Sequence, residues 1–414
     1  MRLVFVSNYF NHHQRPLCEA FTHTEGVDFT FYQTEPMEEE RLRMGWGLDI
    51  SAYPYVKLFS EDEEEAKRQI FESEIVIWGG VEMEDVIEPR LQAGKLTFRY
   101  SERIYKEGQW KFISPRGLKK KHHDHTRYRR SPVYLLCAGA YVGSDFRLIR
   151  AYPKKKFVWG YFPEVKRHDP EELFAKKSRE GEAVRILWAG RMIDWKHPEY
   201  AVAAADVLLH GFPQMKEGLT EQLKEQGGFT LTMAGGGDME AQLRAEVKEK
   251  GLENHVRFTG FLSPEGIRAE MERADIFLFT SDQKEGWGAV LNEAMNSGCL
   301  VIARSEIGAV PYMLQHGWNG MAADSTLQGF CGMVLYMALK REDCREQGRR
   351  ALETTLRYWN AENAAAQFLR VAKGLLAGEP PHYAEREEES GALQPMCRDP
   401  EIRPGRGMRF CKRW

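Results

Sequence analysis

Residues 276–293 read Ile276-Phe277-Leu278-Phe279-Thr280-Ser281-Asp282-Gln283-Lys284-Glu285-Gly286-Trp287-Gly288-Ala289-Val290-Leu291-Asn292-Glu293. The stretch opens with a run that is apolar throughout rather than alternating, which is the pattern of a strand buried on both faces. A polar loop follows, then a Gly-Trp-Gly turn and a segment with helical spacing. A strand of this kind feeding a helix is the unit of a parallel sheet covered by helices.

The same unit recurs on either side of this stretch. Short runs rich in Val, Ile and Phe lie at 3–6, 29–32, 75–78, 96–98, 133–136 and 157–159. A second series lies at 185–188, 229–233, 256–258, 276–280 and 300–303, with helical periodicity between many of them. Ser60-Glu61-Asp62-Glu63 reads as a capping box, and Ser263-Pro264 supplies a cap and a first-turn proline. The predicted fold is α/β, with two doubly wound Rossmann-like domains over 1–165 and 184–358. A charged linker at 166–183 joins them, a terminal helix spans 359–377, and the acidic, then Pro/Gly/Arg-rich segment 378–414 reads as a poorly ordered tail.

Composition narrows the class. The chain has 414 residues, 43% of them hydrophobic and 29% charged, with a net charge of −3. Those values exclude a disordered chain, a collagen-like fibre and a small disulfide scaffold. Near neutrality argues against a nucleic-acid partner, which needs a basic balance. No apolar run reaches the roughly 18 residues of a membrane-spanning helix, and residues 1–7 read as a first strand rather than a signal peptide. Seven scattered cysteines without a CxxC pair point to free thiols, hence a cytoplasmic protein.

Ligands of open α/β sheets bind beyond the carboxyl ends of the strands. Four unusual loops fall there: Ala189-Gly190-Arg191 with Trp195-Lys196-His197-Pro198, Ala234-Gly235-Gly236-Gly237-Asp238, Phe258-Thr259-Gly260-Phe261, and the Glu285–Glu293 segment. They offer two cations, backbone N–H groups, a helix start and two carboxylates, a set suited to a nucleotide diphosphate bearing a sugar. Arg191 and Lys196 would neutralise the diphosphate, and the amides of residues 286–290 would point positive dipole at it. Glu285 and Glu293 would accept hydrogen bonds from hydroxyls, and helical rise over their spacing places them about 10–12 Å apart. Taken singly, the glycine turn is also a tight connection, each cation a solvated charge, and the glutamate pair an exposed helix face.

Together the motifs resemble those of a known family. Glu285, seven residues and then Glu293, inside Glu-Gly-Trp-Gly-Ala-Val-Leu-Asn-Glu-Ala-Met, is the most specific feature. Gly190-Arg191 with Lys196, Val256-Arg257-Phe258-Thr259-Gly260, and Gly308-Ala309-Val310-Pro311 followed by Gly317 and Gly320 accompany it. The stretch from Arg185 to about Asp324 resembles the nucleotide-binding half of the family-four retaining glycosyltransferases, glycosyl transferases group 1, which have the GT-B fold. The resemblance implies two Rossmann-like domains facing across a cleft that closes to expel water. It implies a catalytic set of Glu285, Arg191 and Lys196, with Glu285 at the transferred sugar and Glu293 at the ribose. Gly190, Gly235, Gly236, Gly286, Trp287, Gly288, Ala289 and Val290 would complete the donor site, with the backbone around Phe258, Thr259 and Gly260 at the base.

The implied reaction moves a sugar, with retention, from a nucleotide-diphosphate sugar to a carbohydrate or lipid-linked acceptor in cell-surface polysaccharide or glycolipid synthesis. A UDP-sugar is the expected donor, acting as co-substrate with no cofactor. No metal is expected either, since the sequence has no Asp-x-Asp and the cluster His122-His123-Asp124-His125 fits no standard ligand spacing. Two other readings stay open: a nucleotide-sugar-binding protein without turnover, and a nucleotide-sugar epimerase.

The first half departs from the family pattern. The segment after the first strand reads Asn8-Tyr9-Phe10-Asn11-His12-His13-Gln14, where many members have a Gly-Gly turn. His12 and His13 are acceptor-side candidates or else cap the first helix. Gly79, Gly80, Ser101 and Glu102 stand at later strand ends and are candidates for the same side. Residues 116–130 carry seven Lys/Arg against one Asp, which reads as a basic helix, either solvated or in peripheral contact with anionic membrane.

Overall fold

The computed structural model describes residues 1–39, 47–179, 181–213, 218–324, 326–387 and 391–405. The chain divides into two units, Met1–Glu164 with Tyr358–Trp414, and Val165–Arg357.

The first unit is built on seven strands: β1 (Arg2–Ser7), β2 (Asp28–Gln33), β3 (Val56–Leu58), β4 (Ile75–Gly79), β5 (Thr97–Ser101), β6 (Val133–Ala138) and β7 (Lys156–Trp159). They pair in parallel in the order β3-β2-β1-β4-β5-β6-β7. Every residue of β4, β6 and β7 is buried, which is why these runs are apolar without alternation. The strand order reverses between β1 and β4, so the chain winds helices onto both faces.

The second unit holds β8 (Val184–Ala189), β9 (Phe229–Ala234), β10 (Val256–Gly260), β11 (Ile276–Phe279), β12 (Leu300–Arg304) and β13 (Met321–Ala323). These also pair in parallel, in the order β10-β9-β8-β11-β12-β13. Here the order reverses between β8 and β11, with Ile276 opposite Ile186 and Phe277 opposite Leu187. Ile186, Trp188, Leu231, Met233, Ile276, Leu278, Leu300 and Ile302 form the centre of one core with the helices Glu199–His210 and Leu327–Leu339. Truncating one of these to alanine removes about 2–5 kcal/mol.

Several boundaries differ from the sequence reading. The helix Glu63–Glu72 is capped by Asp62, whose carboxylate accepts from the Glu65 N–H at 3.0 Å, and Ser60 lies in the preceding turn. The turn Phe59–Glu61 delays the first helical residue to Glu63, so the cap position falls on Asp62. At Ser263 the predicted cap is present, accepting from the Gly266 N–H at 3.1 Å. The strands β3 and β13 have only three residues each, too few to show periodicity. Within 166–183 the chain forms the helix Pro170–Ala175, whose Leu173 and Phe174 pack with Leu352 in the second unit. Just beyond it the buried Lys177 ammonium donates to the carbonyls of Ala274 at 2.6 Å and Ser297 at 2.7 Å, which end two helices. A cation there satisfies orphan carbonyls and complements both helix dipoles.

The terminal helix Ala361–Leu376 is amphipathic, and its Phe368 ring meets Phe21, Phe98 and Trp159 of the first unit. The following segment corrects the expected disordered tail. Its backbone pairs with β7, an edge strand: the Val158 N–H donates to Cys397 at 2.8 Å and the Met396 N–H donates to Val158 at 2.9 Å. Leu393, Met396 and Cys397 are buried, Tyr383 donates to the Lys154 carbonyl at 2.7 Å, and Glu401 pairs with Lys156 at 2.7 Å. An open edge strand needs backbone partners, and these are supplied whatever the side-chain composition of the covering segment. Residues 388–390 and 406–414 lie outside the described residues.

Candidate functional site

The reversal between β8 and β11 makes a crevice at their carboxyl ends, and two loops meet there. The loop after β8 holds Trp195-Lys196-His197 and the loop after β11 holds Thr280-Ser281-Asp282. Three hydrogen bonds stitch them together: Thr280 Oγ1 to the Lys196 carbonyl at 2.6 Å, the Asp282 N–H to the Trp195 carbonyl at 2.9 Å, and Trp188 Nε1 to Thr280 Oγ1 at 2.8 Å. The result fixes Lys196 against Glu285. Lys196 Nζ contacts Glu285 Oε2 directly, and Ser281 Oγ donates to the same oxygen at 3.0 Å. Both side chains are half-buried, so they remain reachable while being shielded enough for their charges to matter.

More charged groups surround this pair. His197 sits in the left-handed region at φ 49°, with Nδ1 2.7 Å from Glu199 and Nε2 3.9 Å from Asp282. Burial raises the Asp282 carboxyl above its ordinary value. The buried Arg304 guanidinium at the end of β12 donates to the Thr280 carbonyl at 3.2 Å and pairs with Glu306 at 2.6 Å. In the sequence His197, Ser281 and Asp282 are only members of polar loops, and nothing sets Arg304 or Glu306 apart. Their signal, polar residues just past apolar strands, was present but not specific.

The glycines have a common geometric reason. A Cβ on Gly235 would overlap the Gly190 carbonyl oxygen, and one on Gly237 would lie 2.6 Å from the Met192 carbonyl oxygen. Gly190 and Met192 each donate a backbone hydrogen bond to the loop after β9, at 3.0 and 2.9 Å. Likewise a Cβ on Gly308 would overlap the Gly286 carbonyl oxygen, while the Gly308 N–H donates to Glu285 and that of Ala309 to Trp287. Adjacent βα loops are therefore packed backbone against backbone. That contact holds the amide groups and Glu285 in fixed positions.

Other predicted donor residues take varied places. Trp287 is fully buried and its indole N–H donates to Asn292 Oδ1 at 3.0 Å, so its side chain serves the core. The helix begins only at Val290, with Ala289 at the cap position, so the spacing estimate from helical rise does not hold for residues 285–289. Ala289 has no side-chain oxygen to cap this helix, and the Leu291 N–H donates instead to the Gly288 carbonyl at 3.0 Å. Glu293 is partly buried in that helix and burial raises its carboxyl; Arg268 donates to its carbonyl at 3.1 Å. Arg191 is exposed at the rim. Phe258 lies under the Arg244 guanidinium, Thr259 Oγ1 donates to the Gly260 carbonyl, and Gly260 pairs with Gly235. The exposed Phe261 ring covers Gly236.

In the first unit the acceptor-side candidates gather in two places. At the reversal between β1 and β4, Gly80 lies beside Asn8 and Ser7, and Gln14 donates to Ser7 Oγ at 3.1 Å. His12 and His13 pack ring to ring at 3.9 Å, and the cap position of the helix Arg15–Thr22 is Gln14, so neither histidine caps it. Gly79 is pressed against Tyr100. At the end of β5, Glu102 contacts Lys106 and accepts from Tyr161 Oη at 2.8 Å, while Ser101 Oγ donates to the Glu102 carbonyl. The histidines at 122–125 diverge: His123 pairs with Asp124, and the partly buried His125 bonds to Tyr152 Oη at 2.8 Å and is pushed well below its ordinary value by desolvation and then by Arg99.

Comparison with known proteins places part of the chain beside a described family. Residues 169–331 match the family model described as glycosyl transferases group 1. Over 181 residues the chain is 30% identical to an amylovoran biosynthesis glycosyltransferase, AmsK, of Erwinia amylovora, covering 42% of this chain and 40% of that protein. Over 206 residues it is 25% identical to a GDP-mannose-dependent α-(1-6)-phosphatidylinositol monomannoside mannosyltransferase of Mycobacterium tuberculosis, covering 48% and 50% respectively. The chain thus matches half or less of the length of these relatives. Among solved structures it is similar to HepE of Anabaena, crystallised with UDP, at 14% identity and a TM-score of 0.62 over 90% of this chain and 100% of that one. The fold is GT-B, and the match to the group 1 glycosyltransferase model falls within the second unit.

Proposed function

We propose that this chain, whose second unit holds the match to the group 1 glycosyltransferase model, is a retaining glycosyltransferase that uses a nucleotide-diphosphate sugar without a metal ion. The observation that carries the reading is the Lys196–Glu285 pair, held at the β8/β11 crevice by the Thr280 and Asp282 hydrogen bonds. A cation and a carboxylate so close can serve the two ends of one bond: Lys196, with Arg191 and the amides before Val290, meets the departing diphosphate, and Glu285 holds the sugar beside it. The acceptor oxygen attacks the anomeric carbon from the face the nucleotide leaves. The carbon–oxygen bond to the diphosphate breaks, and a phosphate oxygen takes the acceptor proton. Glu293 binds the ribose. A UDP-sugar is the proposed donor, and a carbohydrate or lipid-linked acceptor in polysaccharide or glycolipid synthesis at the cytoplasmic face is the proposed destination. The name of the amylovoran relative supports the polysaccharide destination, while that of the mycobacterial relative makes GDP-mannose the second donor reading.

A thermal-shift panel of UDP, GDP, ADP and their sugar conjugates, with and without EDTA, tests this. Binding raises the melting temperature by mass action, so the responding base identifies the donor. UDP compounds are expected to respond and EDTA to change nothing. Indifference to every nucleotide would overturn the assignment. Conversion of the donor without any acceptor would identify an epimerase, and donor binding with no transfer a binding protein.

A further inference from the structure

Ten large hydrophobic side chains stand exposed among the described residues, and four of them fall within nine positions: Trp110 at 47%, Phe112 at 37%, Ile113 at 66% and Leu118 at 37%. They occupy the tight turn Gln109–Ile113 and the short helix Pro115–Lys121 that follows it. Exposure on this scale in one short segment marks an interaction surface rather than scattered residues. Lys111, Arg116, Lys119, Lys120 and Lys121 are interleaved with them, and no Asp or Glu occurs between Trp110 and His123. Among the described residues neither Arg116 nor Lys119 is in an ion pair, and Lys120 reaches only the highly exposed Glu82 at 3.3 Å. The structure confines the basic surface expected over 116–130 to its first part: the helix Pro115–Lys121 runs into a wider helical turn, His122–Thr126, where Asp124 is buried, and beyond it Tyr128 is buried and Arg127 pairs with Glu88 at 2.9 Å.

We propose that Trp110, Phe112, Ile113 and Leu118, ringed by Arg116, Lys119 and Lys120, form a docking surface of the first unit for an anionic phospholipid bilayer. The apolar chains enter the headgroup boundary, where a tryptophan ring is suited by its apolar body and polar N–H. The lysine and arginine stems lie along the same surface and carry their charges to the phosphates. Charge selects this partner: a bilayer of anionic headgroups supplies the negative charge that the segment itself lacks. The surface stands independently of the donor chemistry, and none of its residues belongs to the crevice of the second unit.

Flotation of the full chain with phosphatidylcholine vesicles, with and without phosphatidylglycerol, tests the surface. Binding to the anionic vesicles is expected, with little to the neutral ones and a fall as salt rises. Lys119→Glu with Lys120→Glu should weaken binding by about fivefold or more per position. Trp110→Ser with Ile113→Ser should abolish the salt-resistant part of binding. In the unaltered chain, tryptophan emission should shift to the blue on vesicles, and Trp110→Ser should remove most of that shift. All these side chains are exposed, so the variants should keep the parent melting temperature and UDP response. Equal binding to neutral vesicles, or unchanged binding by both variants, would overturn the proposal. So would a dimer of the parent chain that Trp110→Ser with Ile113→Ser turns into a monomer, which would make the patch a contact between copies.

Discussion

Lys196 Nζ and Glu285 Oε2 touch, although 89 residues separate them in the chain, and Ser281 Oγ shares the same carboxylate oxygen. The pair exists because β8 and β11 are neighbours at the reversal of the sheet. Replacing Glu285 with Gln keeps the shape and removes the charge. With the sugar bound through this carboxylate, Glu285→Gln should lower kcat by about a hundredfold or more while leaving UDP affinity within a few-fold. Steady-state transfer assays beside calorimetric UDP titration check the split, and equal loss in both would remove the sugar-binding role.

Lys196→Ala acts on the other partner. It should weaken UDP by about tenfold, or ~1.4 kcal/mol, and leave uridine binding almost unchanged, since only the diphosphate meets the ammonium. Titration with both ligands measures the difference. A matching loss for uridine would move the phosphates elsewhere.

Gly308 tests the packing that holds the site. A methyl group there meets the Gly286 carbonyl oxygen, which cannot give way without separating the loops after β11 and β12. Gly308→Ala should cost about 1–3 kcal/mol of stability and also weaken UDP, because the Gly308 and Ala309 N–H groups hold the Glu285 and Trp287 carbonyls and with them the 286–290 amides proposed to meet the diphosphate. Melting temperature and UDP titration together read the effect. Gly317→Ala, which meets nothing within 4 Å but sits at φ 77°, controls for backbone strain alone.

What could be read beforehand follows from where the information lies. The strands β4, β6, β11 and β12 were legible because burial on both faces demands an unbroken apolar run. Lys196 and Glu285 were legible as types at strand ends, yet their contact was not, because strand order is a property of the whole sheet. Trp287 was legible only in part: its place beside two glycines shows a turn, but not that its indole N–H donates to Asn292 inside the core, which leaves the donor-site reading to its backbone amide. The tail misled. Its attachment to β7 runs through backbone groups at Met396 and Cys397, which every residue type carries. The exposed apolar set around Trp110 was hidden for a related reason, since a turn too short for periodicity gives no sign of which way its side chains face.

The dependence of stability on pH reports how the segment 166–183 is anchored. Glu272 accepts from Lys176 at 2.9 Å and Lys166 at 3.2 Å. Burial alone would raise its carboxyl, but the two lysine hydrogen bonds outweigh that and lower it from 4.5 to about 2. A depressed carboxyl stabilises the folded state wherever it is ionised in both states, above about pH 4.5, and that contribution is lost as pH falls toward 2. Lys166 and Lys176 are themselves largely exposed, so solvent screening holds the contribution to about 1–2 kcal/mol. Glu272→Gln should therefore lower stability by that amount at about pH 7, with the gap to the parent narrowing below about pH 4.5 and closing only as pH falls through about 2. Urea unfolding of both proteins across this range measures it. A constant gap would mean that the carboxylate acts through packing, and no gap at neutral pH would mean that the lysines gain nothing from it over water.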